Sequence, residues 1–576
     1  MTYNENYNMD FSMNFNEPNE TEENKTEELD RGGFKRQLKK LIYTAAEISP
    51  VSQAQWEKLL EIYNFASLSI ELIIQTICRN NAFYSQERLS LNFPSISPRI
   101  PLSANQQIAL EMALSNSPIT VISGTGATGK TSIAKNLAQV AIDSSHKVLI
   151  LAHNLASLSP YYNLTNYPLV LSQQGDYYQK VINRLRYDNL AQAKMDYLPL
   201  HLLPDVELSK LRTPAKLERW LPIIENNSYQ QLADILKLES EFQNLTQARL
   251  HLLAYRLKQL LPFLQEQLRL NQIYNHLSQA GIEEIARQLL ANPQITITGT
   301  VAEFMQVENR LLWETSFDII IVEEANRLHW IQLLFLAGLC KKLVLFGEDI
   351  PPRYGQPKKS IPYPYNCLQF NCFQWLQSHL SPAYVYTLKE QFRLHSAMAK
   401  IVYPSICNHW VYSQSHYIDN SLSGVNLSQI NRRVVWQDVS DTMVGDKPIA
   451  ENMIRFLEKL IRNHDGQVMS EIGMITFSPT QTDAIKEILP TISSIYQNQL
   501  FVGTAGEWSG KERKIIMVNC SGNPKDISVE DINIALTRAK DYLFLFGDCD
   551  VWLRYNSPLK ALLYHPAVSQ ERQVVI

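Results

Sequence analysis

At 576 residues the chain is too long for a single hydrophobic core and has room for about three or four domains. Its 45% hydrophobic content is that of a globular protein, and 53 Lys+Arg against 57 Asp+Glu leave a net charge of -4, which excludes a global basic field for nucleic acid, so any such contact is local. Seven cysteines scattered through apolar stretches without a CxxC pair argue against a disulfide framework or a metal cluster and suit a reducing, cytoplasmic setting. The chain opens on polar, acidic residues, and no apolar run reaches about 18 residues, so no membrane contact is expected.

Residues 1–32, rich in Asn, Glu and Met, bury too little surface to order themselves and read as a disordered acidic tail. Tyr3, Tyr7, Phe11 and Phe15 recur every fourth residue and would line one face if a protein partner induced a helix there. Helical apolar spacing runs through 33–98, with Lys35, Arg36, Lys39 and Lys40 on a solvated face. A strand over 119–122 leads into Gly124-Thr125-Gly126-Ala127-Thr128-Gly129-Lys130-Thr131, and a helix follows from Ser132. This is a complete GxxxxGK[ST] loop in strand-to-helix context. Backbone N–H groups from Gly124 to Ser132 would cradle the phosphates of ATP, Lys130 would reach the β and γ oxygens, and the Thr131 hydroxyl would ligate Mg²⁺.

A strand over 147–151 comes next, then a mainly helical interval, 161–292, in which Leu238, Phe242, Leu245, Leu253, Leu257, Leu260 and Leu264 recur at three- and four-residue steps, with Pro262 predicted to bend the helix. We read it as an inserted helical subdomain and a second candidate surface for a protein partner. Strands are predicted over 295–298, 317–322, 343–346, 384–388, 472–476, 500–504, 515–519 and 542–546. Short apolar strands alternating with helices indicate an α/β fold with parallel sheets, and their number exceeds one P-loop sheet. Two such domains are expected, the first built from 99–160 and 293–380, the second from 381–576. Glu323 and Glu324 follow the strand over 317–322, at the sheet end where ligands bind. Glu323 would hold Mg²⁺ through water, and Glu324 would orient or deprotonate the attacking water.

Further fragments complete an ordered series: Leu102-Ser103-Ala104-Asn105-Gln106, Leu151-Ala152-His153-Asn154, Thr298-Gly299-Thr300, Leu388-Lys389-Glu390-Gln391-Phe392-Arg393-Leu394-His395, residues 472–476 with Gln481, residues 504–512, and Asn533-Ile534-Ala535-Leu536-Thr537-Arg538-Ala539-Lys540. In this order and spacing they resemble the superfamily 1 helicases, of the branch containing the nonsense-mediated-decay helicase and its DNA-processing relatives, over most of residues 100–560. The resemblance implies two RecA-like P-loop domains. It implies that Gln106 contacts adenine, Phe392 stacks on it, Arg393 and Arg538 reach the γ-phosphate, and Gly510 and Glu512 lie on the nucleotide side. His153, Asn154, Thr300 and Thr504 would meet the nucleic-acid backbone. The implied activity is ATP-dependent tracking along single-stranded DNA or RNA, DNA slightly favoured, from 5′ to 3′.

Three motifs depart from the family pattern. Motif II is Glu-Glu instead of Asp-Glu, motif III (347–352) is two residues short and lacks its glutamine, and motif V carries Gly506 and Ser509 for the usual Asp and Gln. The hydrolytic groups are kept while the link to the strand is thinned. The alternative is therefore an ATP-gated nucleic-acid clamp or adaptor that hydrolyses slowly and recruits an effector.

Overall fold

The computed structural model describes residues 27–48, 51–64, 67–78, 91, 93, 100–162, 164, 167–171, 214–240, 242–274, 287, 290, 295–348, 365–407, 411–413, 432–439, 445–461, 470–489, 500–508 and 510–571. Seven strands form the first sheet: β1 (Ile119–Gly124), β2 (Val148–Ala152), β3 (Tyr167–Val170), β4 (Ile295–Thr300), β5 (Phe317–Val322), β6 (Cys340–Gly347) and β7 (Val385–Leu388). Their order is β3-β4-β2-β5-β6-β1-β7, parallel throughout. A two-stranded ribbon, β8 (Glu390–Gln391) with β9 (Tyr412–Ser413), leads to the second sheet. That sheet contains β10 (Val434–Asp438), β11 (Ile472–Thr476), β12 (Phe501–Thr504), β13 (Arg513–Asn519), β14 (Ala539–Gly547) and β15 (Ser569–Glu571), in the order β12-β11-β13-β14-β10-β15. All of its pairings are parallel as well.

With β3 set aside, both sheets run third, second, fourth, fifth, first, sixth in chain order. This repeated topology makes the molecule a tandem of two RecA-like α/β domains. The central strands are buried almost without interruption, as β1 and β11 are along their whole length, because parallel sheets are covered on both faces.

Helices Glu27–Ile48, Gln53–Asn64 and Leu68–Cys78 share the first sheet's core through Leu41, Leu59, Ile70 and Ile74. The Ser69 hydroxyl donates to the Pro118 carbonyl at 2.9 Å, and Gln55 Nε2 donates to the Met305 carbonyl at 2.5 Å. The first helix starts at Glu27, inside the segment read as a disordered tail. Its downstream half is anchored in the core. Residues 1–26, with the four aromatic positions, lie outside the described residues.

Two further differences concern domain limits. β7, placed by sequence in the second domain, pairs with β1 from Val121↔Val385 to Gly124↔Leu388 and is an edge of the first sheet. Within the interval read as wholly helical, β3 extends the same sheet beside β4. Edge strands are short and partly exposed, so their apolar signal is weak. The helical subdomain is present as Pro214–Asn226, Tyr229–Leu238 and Gln247–Tyr274, closing around Trp220, Leu232, Phe242, Leu253 and Leu257. Leu238 is 80% exposed and stands off this stripe, and the last helix continues through Pro262. Among the described residues no helix is long and apolar enough to cross a membrane.

Candidate active site

The glycine-rich loop joins β1 to the helix Lys130–Asp143 at the C-terminal edge of the first sheet. Gly129 has φ of +80°, and a Cβ there would lie 2.2 Å from Gln106 Nε2, so only glycine fits. Gln106 Oε1 accepts from the Ser103 N–H at 3.0 Å while Nε2 donates to the Thr128 carbonyl at 3.1 Å. The side chain predicted to read adenine thus has both amide ends engaged, as a brace between a capping box and the phosphate loop. Lys130 Nζ lies over the loop, donating to the carbonyls of Gly124 at 2.6 Å and Thr125 at 2.8 Å. Burial lowers its pKa, opposed by the nearby Glu348 and Glu323 carboxylates.

Glu323 is buried at the end of β5, where burial pushes its pKa up against the opposing hydrogen bond from Tyr161 and the charge of Lys130; the Thr131 hydroxyl lies beside it. Glu324 follows in the left-handed region, φ +54°, a strained position for a side-chain-bearing residue. Ala127 in the phosphate loop shares that conformation at φ +70°. Asn154 Nδ2 donates to both Glu324 oxygens, at 2.9 and 3.1 Å, and Ser157 Oγ donates to Oε1 at 3.1 Å. Hence the Asn154 amide, expected on the strand, faces the Glu324 carboxylate instead.

The second half of the site arrives from beyond β7. Phe392 donates its N–H to the Ala127 carbonyl at 2.9 Å and keeps its ring 40% exposed at the loop mouth, open to a base. The Tyr403 hydroxyl donates to the Gly126 carbonyl at 2.8 Å. Arg393 donates from Nε to Glu512 at 2.5 Å and from Nη1 to the Thr537 carbonyl at 3.0 Å. Glu512 is reached through the left-handed turn at Gly510, φ +75°, and also takes Lys540 Nζ at 2.6 Å. Arg538 is buried, and burial together with Arg393 pushes its guanidinium down to about 10. Its Nε is a buried donor without a partner among the described residues. A cationic donor left in this state fits an anion absent from the structure. Thr131 and Glu323 offer the hard oxygen donors that suit Mg²⁺.

Of the remaining expected strand contacts, His153 is exposed. The Thr300 hydroxyl donates to Glu303 Oε2 at 2.9 Å and the Thr504 hydroxyl to Glu507 Oε2 at 3.1 Å, each at a strand end. Thr300 caps the next turn through a Thr-x-x-Glu box, and Thr504 donates both its N–H and its hydroxyl to Glu507, so neither presents a free hydroxyl. Sequence reasoning passed over Tyr161, Ser157 and the half-buried pair in which Arg327 Nε donates to Glu530 at 2.6 Å between the two halves. The Thr-x-x-Glu spacing was visible in sequence, whereas these other partners are brought together only by the fold. The shortened motif III from residue 349 onward lies outside the described residues, as does Ser509 of motif V.

A phosphate loop on one RecA-like sheet, faced by two arginines from the second, defines a P-loop NTPase. Residues 368–550 match the family described as AAA domain. The chain is 26% identical over 284 residues to a probable helicase of Dictyostelium discoideum, covering 44% of this chain and 27% of that protein. It is 24% identical over 271 residues to the DNA replication ATP-dependent helicase/nuclease of Gallus gallus, covering 45% and 26%. The chain therefore spans about a quarter of the length of these curated relatives. A solved arterivirus nonstructural protein 10, a helicase, shares 14% identity over 44% of this chain and 42% of that one, with a TM-score of 0.23, too low to bear on the fold. The motif order resembles that of superfamily 1 helicases, and the sequence matches, each over less than half of this chain, are to helicases.

Proposed function

We propose that the chain is an ATP-dependent helicase or translocase on single-stranded nucleic acid, DNA favoured over RNA, moving 5′ to 3′ in a reducing, cytoplasmic setting. The observation carrying this reading is the meeting of Lys130, Glu323 and Glu324 from one half with Arg393 and Arg538 from the other around a single phosphate loop. Phe392 would stack on the adenine, and Lys130, Arg393 and Arg538 would hold the γ-phosphate. Glu324 would take a proton from water as the water oxygen attacks γ-phosphorus and the bridging oxygen leaves with ADP. Thr131 and Glu323 would hold Mg²⁺, which when bound supplies charge neutralisation on the phosphate oxygens. Because the arginines belong to the opposite half, γ-phosphate charge would draw the halves together and its loss would part them. His153, the turns capped by Asn154 and Thr300, and Thr504 follow the strand ends along which a nucleic-acid strand would run. The helical subdomain and the acidic tail are the proposed places for a protein partner.

The test is steady-state ATP hydrolysis by wild type and Lys130→Ala, with and without single-stranded DNA or RNA, followed by displacement assays on substrates with 5′ or 3′ overhangs. Strong stimulation by one polymer, lost in the variant, is the expected result. ATP-dependent strand binding with feeble, unstimulated hydrolysis would replace this reading with the clamp.

A further inference from the structure

The seven residues after the end of β2 and Asn154, the 3₁₀ turn Leu155–Tyr161, touch both carboxylates at once. Asn154 caps this turn. Its Oδ1 accepts from the Ser157 N–H at 3.1 Å and from Ser157 Oγ at 3.3 Å, which fixes the amide so that Nδ2 points at Glu324. Three hydrogen bonds from Asn154 and Ser157 then occupy three of the roughly four lone-pair sites of the Glu324 carboxylate. At the far end of the turn, the Tyr161 hydroxyl donates to Glu323. The remaining observation is backbone strain. Glu324 sits at φ +54°, a conformation that persists only when its surroundings hold it, and Asn154 and Ser157 are part of those surroundings.

Resting on the nucleic-acid reading above, we infer that this turn is a strand-operated restraint: without a strand, Asn154 and Ser157 hold Glu324 away from its work on water, and a strand seated at His153 draws the turn back and releases it. A carboxylate committed to three donors has about one lone-pair site left on which to seat a water. His153 precedes Asn154, is exposed, and marks the side from which a strand reaches the turn. The Asn154 amide therefore lies between the proposed track and the hydrolytic group, one residue from the first and in contact with the second. Such a link supplies coupling by a route separate from motifs III and V, the two that depart most from the family pattern. Asn154 and Ser157 act through Glu324 and are positioning residues.

Reciprocity gives the restraint a second readout: if strand binding breaks the bonds to Glu324, removing them in advance favours strand binding. Ser157→Ala removes one donor while leaving Asn154 and its cap to the Ser157 N–H, and Asn154→Ala removes the other two bonds. The experiment measures ATP hydrolysis with and without a single-stranded oligomer for wild type, both single variants and the double variant. It also measures anisotropy of a fluorescein-labelled oligothymidine, and of its RNA counterpart, on the nucleotide-free proteins. In Ser157→Ala the expected result is a strand-free rate up about threefold, a ratio of stimulated to basal rate down by a similar factor, and an oligomer affinity tightened about twofold to fivefold, changes of the size one hydrogen bond commands. In the double variant the ratio approaches one. Basal and stimulated rates falling together, or a ratio unchanged in Ser157→Ala, would overturn the restraint while leaving a stimulated wild type and the helicase reading intact. A wild type that neither polymer stimulates would overturn both.

Discussion

The helix after β1 begins at Lys130 behind a glycine-rich loop, whereas the helix after β10 begins at Asp446 behind Gly445, and its Lys447 lies at the surface 3.4 Å from Glu487. After β5 stand Glu323 and Glu324. At the matching place after β13 stand Cys520 and Ser521, whose hydroxyl donates to Asp446 at 3.1 Å and Asn519 at 2.7 Å. Elsewhere the halves agree: β4 and β12 both end in a Thr-x-x-Glu hydrogen bond, and β6 and β14 both end in a glycine followed by an acid, Glu348 and Asp548. What is common to the two sheets is what shapes a parallel sheet and its turns. The glycine-rich loop and the paired carboxylates lie with the first, and the other half brings Phe392, Arg393, Tyr403 and Arg538 to that side. One site is therefore built from two copies of a topology, and each copy is incomplete alone.

The largest effect that would break this division is expected at Arg538. Arg538→Ala should lower ATP hydrolysis about 10³-fold, the scale of an arginine contributed to phosphoryl transfer, with oligomer affinity kept within about twofold. Steady-state hydrolysis and anisotropy check it together, and a mild loss would mean the second half is a bystander. Next comes the contrast of matched lysines. Lys130→Ala should cost at least about 10²-fold in hydrolysis, and Lys447→Ala, exposed and paired with Glu487, should change it by less than about twofold.

The carboxylates of the two halves also titrate in opposite directions. Burial raises the Glu323 pKa, so ionising it costs stability as pH climbs from the ordinary carboxylate value through the raised one. Glu512 is the reverse case: burial would raise it, but Arg393 and Lys540 prevail and hold it below the usual range. Its contribution is complete above the ordinary glutamate value and is lost as pH falls through the depressed one. Since the Tyr161 hydrogen bond lowers the Glu323 pKa, Tyr161→Phe should raise it further. The acid limb of the pH–rate profile should then move to higher pH, while the same limb in Glu512→Gln stays in place. A Tyr161→Phe profile superimposable on wild type would remove the tyrosine from the site.

Legibility followed the same division between local and assembled features. The phosphate loop and the carboxylate pair were locatable because each is a contiguous run with a chemical reason for its residue types, whereas the two arginines were expected only through the motif resemblance. The strands over 317–322 and 472–476 were readable because central parallel strands are unbroken apolar runs. The edge strands β3 and β15 were not, since a half-exposed strand loses that pattern, and β7 was read as a strand but assigned to the second domain when it pairs with β1. Asn154, Thr300 and Thr504 were correctly located at strand ends, but a sequence cannot tell a side chain that faces a ligand from one that turns back on a carboxylate three residues on or in another strand's turn. For Gln106 the capping box with Ser103 was within reach, because Ser-x-x-Gln ahead of an apolar helix is its signature.

The smallest expected effects lie where the halves agree. Thr300→Val deletes the hydroxyl donor to Glu303 in a buried cap, and Thr504→Val deletes the hydroxyl donor to Glu507 at a partly exposed site. Losing such a hydrogen bond costs about 1 kcal/mol, with the buried site toward about 2 kcal/mol because Glu303 keeps only the Thr300 N–H at 3.2 Å in place of two donors from that residue. Chemical denaturation should therefore rank Thr300→Val below Thr504→Val in stability, and oligomer affinity should hold within about twofold in both. If affinity instead falls tenfold with stability unchanged, the hydroxyls leave their glutamates to meet the strand. The Thr-x-x-Glu box would then be a feature of the strand-free protein alone, and the two sheets would share a binding function as well as a topology.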